Sequence, residues 1–256
     1  MKRRSILLCE GETDQVLLSY YFKQKFGYEY IKKCENLLCR KSQEESVCLY
    51  RQKQKENGEE LIIWAVGSQS LIPEALSEIL GMNQSNTENV YSRIAILTDR
   101  DSDEENANFW ESINHTIISF GIDVVLEEQK WIKLHQSVEF DEEVEIEILG
   151  LSIPLDKDGA LETFLLSALE EQDQNRYLAQ QSEIFVRGLI ENREYLCSYL
   201  TNRRLCVKAP LAVFFAIANP ERTFHSFDNI LKSVSWEKYT TIRNTFHLLD
   251  EFDVSI

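Results

Sequence analysis

The sequence predicts an α/β fold in which a mostly parallel sheet is flanked by helices and followed by a C-terminal helical extension. Three short apolar runs, at residues 5–9, 61–66 and 93–98, have the length and composition of strands that are buried on both faces. Segments with helical periodicity separate these runs, which is typical of βαβ units. With only 9 Gly and 4 Pro, the chain favours long regular elements over a collection of turns.

The first half of the chain supplies the alternation of strands and helices. The apolar run Ser5–Cys9 is followed by Glu10-Gly11, and we expect Thr13 or Asp14 to cap the next helix. In chain order, the following elements are a solvated helix at 40–57, a strand at 61–66, a helix at 71–80, a loop at 81–90, a strand at 93–98, a helix at 104–120 and a strand at 123–126.

The pattern changes in the second half. Residues 144–148 alternate acidic and apolar side chains, which predicts an exposed edge strand. An apolar helix is expected at 160–169, and about 175–252 is predicted to be helical throughout. We therefore divide the chain into an α/β domain at 1–172 and a helical extension at 173–256, which the pattern also allows to pack as one domain. A solvated acidic face is predicted for Glu139, Asp141, Glu142, Glu143, Glu145 and Glu147.

Composition argues against several classes of protein. The apolar run after the basic residues 1–4 is too short for a signal peptide. No stretch approaches the roughly 18 apolar residues of a membrane span, so we expect a cytoplasmic protein without a membrane partner. The six cysteines show no C-x-x-C spacing and the four histidines are far apart, which favours reduced thiols over disulfides or zinc.

The net charge of −16 argues against a protein that coats DNA in general. The charge is unevenly distributed, since residues 111–256 carry 13 basic and 25 acidic residues. Residues 23–55 carry nine Lys and Arg against four Glu. A local basic face could therefore still hold a phosphate backbone, such as that of a nucleic acid.

Acidic residues follow two of the predicted strands. The first run is followed by Glu10-Gly11-Glu12-Thr13-Asp14, and the third by Asp99-Arg100-Asp101-Ser102-Asp103. Because parallel strands end at one edge of a sheet, Glu10, Asp99 and Asp101 are expected in one crevice. Carboxylates at short distance need compensating charge. Oxygen ligands without nearby His or Cys favour Mg²⁺, or Mn²⁺, over zinc.

Each of these residues also has a purely structural interpretation. Asp101 or Asp103 could be the N-cap of the next helix, and Glu10 a solvated turn residue. Ser68 and Ser70 follow the second strand, where they could donate to a phosphate or cap a helix. For the two serines we favour capping.

The two acidic segments together resemble the Toprim domain of topoisomerases, primases and overcoming-lysogenization-defect (OLD) nucleases. The resemblance covers roughly residues 4–135 and implies that Glu10 is a general acid/base or metal ligand. It also implies that Asp99 and Asp101 bind Mg²⁺. Gly11 would allow a tight backbone turn. Asp14 would steady that turn or act as an outer-shell ligand.

A later segment points to a narrower group. Residues 153–166, Ile-Pro-x5-Ala-Leu-Glu-x2-Leu-Leu, resemble a late motif of small bacterial Toprim proteins. OLD-type nucleases place a late glutamate and a lysine beside the core acidic residues, and Glu162 and Lys208 are the matching candidates. Glu162 would be a metal ligand, and Lys208 would neutralise charge on a phosphate. The structural alternative for Glu162 is a surface residue in the first turn of a helix.

The resemblance implies Mg²⁺-dependent phosphodiester hydrolysis of DNA or RNA, in a phage-defence or RNA-processing setting. The alternative is a non-catalytic regulatory or toxin component that binds metal and a protein partner. No tyrosine nucleophile, zinc-binding segment or helicase-like segment can be assigned, so a topoisomerase or a primase is not supported. A phosphatase of the haloacid-dehalogenase type is disfavoured because Asp99-x-Asp101 follows the third strand. The sequence leaves the oligomeric state open.

Overall fold

The structure is a computed structural model that describes residues 4–35, 44–52, 60–85, 90–138, 143–192, 200–222 and 227–253. By its internal contacts the chain divides into two compact units. Residues 1–152 together with 246–256 form the sheet unit, and residues 153–245 form the helical unit. The sequence-derived boundary at 172/173 falls inside the helical unit, where a helix begins at Asp173.

In the described residues seven strands form one sheet, in the order β2-β3-β4-β1-β5-β7-β6. The central strands β4, β1 and β5 run parallel, whereas β2 with β3, β3 with β4, and β6 with β7 are antiparallel. The α/β class and the parallel centre of the sheet are confirmed. The strands are β1 (Arg4–Cys9), β2 (Tyr28–Lys33), β3 (Ser46–Gln52), β4 (Glu60–Ala65), β5 (Tyr91–Asp99), β6 (Trp131–Ser137) and β7 (Glu143–Ile153).

Helices cover both faces of this sheet. Helices α2 (Ile72–Ser85) and α3 (Asp103–Ser119) contact each other and share a buried apolar cluster with Ile6, Trp64 and Ile96 of the central strands. Helix α1 (Glu12–Phe26) contacts β3 and β4. Successive residues of a strand point to opposite faces of the sheet. The buried strand residues that alternate with the residues of this cluster therefore lie on the other face, which α1 covers.

The end of the chain returns to the sheet unit. Residues His247–Asp253 form 3₁₀ turns. The ring of Phe252 lies 5.8 Å from that of Phe22 in α1 and 5.4 Å from that of Trp131 in β6, measured between centroids. Asp250 accepts a hydrogen bond of 2.8 Å from the hydroxyl of Tyr21. Aromatic packing and this polar contact attach the C-terminal segment to the sheet unit.

The helical unit contains the helices that the sequence predicted for this region. Its described helices are α4 (Leu161–Leu169), α5 (Asp173–Glu191), α6 (Arg203–Ala218), α7 (Phe227–Leu231) and α8 (Thr240–Phe246), the last of which ends at the first residue of the returning segment. Helices α4, α5 and α6 pack against one another. No helix of the described ranges is long and apolar enough to cross a membrane.

The predicted helix at 40–57 is wrong. Its described part contains β3, a buried strand that pairs with β4 through Leu49↔Ile62 and with β2 through Tyr30↔Tyr50. Residues 40–43 and 53–57 lie outside the described residues. The local basic composition suggested a solvated helix, but pairing on both sides buries the apolar run 47–50. The predicted loop at 81–90 is also wrong in part, since α2 continues to Ser85.

The strand predicted at 123–126 is wrong, because that segment is irregular and the strand begins later, at Trp131. The predicted edge strand at 144–148 is the longer strand β7, which lies between β5 and β6. Its apolar residues join the core under the sheet, and Glu147 contacts both Arg93 and Lys133. The alternation of acidic and apolar residues in β7 reflects one covered face of the sheet, and antiparallel pairing with β6 gives β7 its second neighbour.

The cysteines of the described residues are free thiols, as the sequence predicted: Cys9, Cys34, Cys48 and Cys206. Cys39 and Cys197 lie outside the described residues.

Candidate functional site

The candidate site lies at the carboxyl ends of β4, β1 and β5. From β1 the chain passes through α1 to the strands on one side of the sheet. From β5 it passes through α3 to β6 and β7 on the other side. A sheet in which neighbouring connections diverge in this way forms a crevice beyond its strand ends, where ligands bind in open α/β folds.

Glu10 is held against the end of β5. Its Oε1 accepts a hydrogen bond of 2.7 Å from Thr98 Oγ1 and one of 2.8 Å from the backbone N–H of Asp99. The register explains this contact, because Cys9 pairs with Leu97 and the residue that follows β1 therefore reaches Thr98. The structure thus brings Glu10 and Asp99 together, as predicted from their strand-end positions.

A side chain from the end of β4 completes this network. Gln69 begins the 3₁₀ turn Gln69–Leu71, and its Nε2 donates to Thr98 Oγ1 at 2.8 Å and to the carbonyl of Asp99 at 3.3 Å. The N–H of Gly67 donates to the carbonyl of Glu10 at 2.8 Å. Three strand ends are therefore joined at one place. Sequence reasoning missed Thr98 and Gln69, although both stand at predicted strand ends and could have been found there.

Gly11 and Asp14 lie in the turn before α1, and Asp14 has one of the two roles expected for it. Helix α1 begins at Glu12 with Gly11 as its N-cap, so capping by Thr13 or Asp14 is wrong. Asp14 instead accepts a hydrogen bond of 2.9 Å from the N–H of Gly11 and steadies the turn. With φ of −137° and ψ of 171°, Gly11 has a backbone conformation that any residue adopts, so the turn does not require glycine.

Asp101 and Asp103 stand between β5 and α3. The N-cap of α3 is Ser102, whose Oγ accepts from the N–H of Glu105 at 3.2 Å, so the predicted caps Asp101 and Asp103 are wrong. Asp103 is the first residue of the helix, and its side chain is 95% exposed. Asp101 is half-buried in the segment that joins the end of β5 to this cap.

Ser68 occupies the N-cap position of the turn after β4, without a side-chain cap hydrogen bond. Its hydroxyl and that of Ser70 are hydrogen-bonded to each other at 2.9 Å. Capping by position is therefore observed for Ser68, and the serine hydroxyls stabilise their own turn.

The metal ligands proposed for the strand ends, Glu10, Asp99 and Asp101, all offer carboxylate oxygen atoms. In the part of the chain that the structure describes, no three His, Cys, Asp or Glu side chains are grouped so as to hold a metal ion. Burial raises the pKa of the Cys9 thiol well above its usual value, and the carboxylates of Asp14 and Glu10 raise it further. Cys9 is therefore a neutral thiol at physiological pH.

The two late candidates lie in the helical unit. Glu162, in the first turn of α4, is buried with 6% of its surface exposed, so its interpretation as a surface residue is wrong. The ammonium group of Lys208 in α6 donates a short hydrogen bond to Glu162 Oε1. The structure brings these two residues together as an ion pair that joins α4 to α6.

Fold and site together define an α/β protein with an acidic site at the ends of parallel strands. A protein-family profile described as "Protein of unknown function (DUF3226)" matches residues 4–233, and the chain therefore belongs to this family. No curated protein matches the sequence. The crystal structure of a hypothetical protein from Pyrococcus horikoshii OT3 is similar at 15% identity and a TM-score of 0.46, covering 98% of this chain and 99% of that one.

Proposed function

We propose that the chain is a Mg²⁺-dependent phosphodiester hydrolase that acts on DNA or RNA through a Toprim-type acidic site. The observation that carries this proposal is the contact between Glu10 and the backbone of Asp99 at the carboxyl ends of β1 and β5. Asp101 follows two residues later. A carboxylate that follows one parallel strand thus meets the backbone at the end of the neighbouring strand, where Asp99 and Asp101 stand, in the crevice where such sheets bind ligands.

The oxygen donors suit Mg²⁺ or Mn²⁺. Mg²⁺ usually keeps several waters and is held by one or two carboxylates together with substrate phosphates, so a preformed cage of three carboxylates is not required. Asp99 and Asp101 would hold the ion, with Glu10 beside them. When bound, the ion would stabilise charge on a phosphate and make a bound water more acidic.

The chain's own groups would orient Glu10 for proton transfer. Hydrogen bonds from Thr98 and from the N–H of Asp99 fix one carboxylate oxygen, and Gln69 fixes Thr98 in turn. A general acid or base must be held within hydrogen-bond reach of the proton that it transfers, and this network limits the positions that Glu10 can take. Glu10 would accept a proton from the attacking water or return one to the leaving oxygen.

Glu162 and Lys208 are proposed as the glutamate and the lysine that OLD-type nucleases place beside the core acidic residues, and this assignment rests on the resemblance. Their contacts support a role as a pair, because each neutralises the charge of the other. A change in either residue would therefore affect both.

Cleavage assays test the proposal with the purified full chain, on plasmid DNA, single-stranded DNA and structured RNA. We expect cleavage with Mg²⁺ or Mn²⁺ and none with EDTA. Asp99→Asn keeps the side-chain size but removes the charge, and should lower the rate at least about a hundredfold. Asp123→Asn is the matched control, since Asp123 is an exposed aspartate of the sheet unit outside the site.

The outcomes separate the two functions considered from sequence. Cleavage that Asp99→Asn abolishes and Asp123→Asn leaves intact supports the hydrolase. Equal rates for both variants contradict it, because the activity would then not depend on the acidic site. No cleavage of any substrate by the wild-type chain also overturns the proposal and favours a regulatory or toxin component that binds a protein partner.

A further inference from the structure

We infer that Arg100 binds a phosphate group of the substrate and that a chain of hydrogen-bonded polar side chains, buried except for Glu128 next to Arg100, positions its guanidinium group. The inference rests on the proposed function for the identity of the ligand, a phosphodiester chain. Arg100 stands between Asp99 and Asp101 in sequence, and its side chain is 15% exposed.

Four further residues form a continuous hydrogen-bonded chain that ends on Arg100. The indole Nε1 of Trp110 donates to Ser152 Oγ at 2.9 Å, and that hydroxyl donates to Asn106 Oδ1 at 2.6 Å. The amide Nδ2 of Asn106 donates to Glu128 Oε1 at 2.8 Å. The second carboxylate oxygen of Glu128 accepts from Arg100 Nη2 at 3.1 Å. All five residues belong to the sheet unit.

Regular elements support this polar chain. Asn106 and Trp110 lie one turn apart on α3, Ser152 lies on β7, and all three are buried. The backbone of Glu128 pairs with Gly150 of β7. Buried polar groups are costly unless each finds a partner, and a satisfied network fixes the geometry of its members. Rigid elements and supporting hydrogen bonds are the features that hold a binding side chain in one place.

The surroundings of Arg100 favour an anion as its ligand. Its Nη1 lies 3.9 Å from Asp103 Oδ1, and an ion pair with so exposed a carboxylate contributes little. A phosphate oxygen can therefore take the place of Asp103 while the contact with Glu128 is kept. The planar guanidinium matches two phosphate oxygens at once, which an ammonium group does not. A cation among the site's carboxylates would also offset their repulsion of a polyanionic substrate.

The test measures binding of labelled single-stranded DNA and RNA oligonucleotides to the full chain in EDTA, over a range of salt concentrations. Each phosphate contact contributes about 0.7 to the slope of log affinity against log salt for single strands. Arg100→Gln should reduce that slope by about 0.7 and weaken binding about tenfold at low salt. Arg187→Gln, at an exposed arginine of α5, is the matched control and should leave the slope unchanged.

A second variant tests the positioning role. Glu128→Gln keeps the size of the side chain but removes the charge that holds Arg100. We expect weaker binding by a factor of about three to five in the wild-type background and no further loss in Arg100→Gln, as for residues that act as a unit. Thermal unfolding of each variant shows whether the fold is retained.

Several results would overturn this inference. One is a wild-type salt slope for Arg100→Gln together with a lower melting temperature, which would make Arg100 a structural residue only. Another is the absence of oligonucleotide binding by the wild-type chain. Failure of the proposed function alone would give a different result. The wild-type chain would cleave none of the substrates, but Arg100→Gln would still reduce the salt slope of oligonucleotide binding.

Discussion

Glu10 and Glu162 are held in different ways in the two units of this chain. In the sheet unit, a hydroxyl and a backbone N–H donate to Glu10, which is half-buried at the strand ends. In the helical unit, the buried carboxylate of Glu162 is paired with the ammonium of Lys208. The two hydrogen bonds named for Glu10 come from neutral donors and orient its carboxylate, whereas the donor to Glu162 is a cation that neutralises it.

Under the proposed function, this difference separates a reactive carboxylate, Glu10, from a structural one, Glu162. A carboxylate that is held by neutral donors at a partly exposed strand end can bind a cation or transfer a proton. A buried carboxylate with its own cation mainly joins two helices, and removal of one partner leaves an uncompensated charge. We therefore expect changes at Glu10 to alter activity more than stability, and changes at the Glu162–Lys208 pair to do the reverse.

The largest effect is expected for Glu10→Gln. The amide oxygen can still accept from Thr98 and from the N–H of Asp99, so the fold should be retained. Loss of the charge should lower the cleavage rate about 10²- to 10⁴-fold, the range for a general acid or base. Cleavage rates and urea unfolding of the same preparation check this, and a variant with wild-type activity would remove Glu10 from the site.

The next effect concerns Lys208→Met. This variant leaves Glu162 buried without its cation and should lower the free energy of unfolding by about 2 kcal/mol, less than for a fully buried pair because the lysine side chain is 41% exposed. Urea denaturation measures the change, and Lys238→Met at an exposed lysine of the same unit is the control. Loss of cleavage while the fold remains intact would instead support the OLD-type role of Lys208.

Two glycines allow a comparison between a position that has no room for a Cβ atom and one that has. A Cβ at Gly150 in β7 would lie 2.7 Å from ring atoms of Trp110, so Gly150→Ala should cost about 1–3 kcal/mol. A Cβ at Gly11 would lie 3.6 Å from Asp14 Oδ2, an ordinary contact, so Gly11→Ala should cost less than about 1 kcal/mol. Thermal unfolding compares the two. Equal losses of stability in the two variants would contradict the described packing. If Gly11→Ala is stable but cleaves more slowly, a ligand approaches the backbone closely at Gly11.

The smallest effect involves a third glutamate. Burial alone would raise the pKa of the Glu171 carboxyl, but hydrogen bonds from Thr241 and from the N–H of Thr240 outweigh it, and the pKa is lowered. A lowered folded-state pKa stabilises the fold above the ordinary glutamate pKa of about 4.3, and the stabilisation is lost as the pH falls through the folded-state value. Glu171→Gln should flatten unfolding stability between about pH 5 and 3. An unchanged profile would contradict these hydrogen bonds.

The parallel centre of the fold could be predicted from local sequence. Strands β1, β4 and β5 each read as a continuous apolar run because both of their faces are covered. The outer strands could not be predicted in this way. Basic composition concealed β3, and alternation in β7 suggested an edge strand where the chain forms an inner one. Each of these strands depends on which neighbour pairs with it, and local composition does not contain that information.

The candidate site also has a part that local sequence predicts and a part that it does not. Glu10, Asp99 and Asp101 could be selected from sequence because acidic residues directly follow apolar runs. The hydrogen bonds of Gln69 and Thr98 and the polar chain behind Arg100 could not be predicted, since these contacts arise only when distant segments meet.

By itself, the sequence determined the α/β class, the parallel central strands and the strand-end positions of the acidic residues, because burial and strand polarity act over a few neighbouring residues. Only the tertiary structure decided the partners of those residues. Glu10 meets Thr98 across 88 positions of sequence, and Glu162 meets Lys208 across 46. Contacts over such separations depend on strand register and helix packing, which are set by the whole fold.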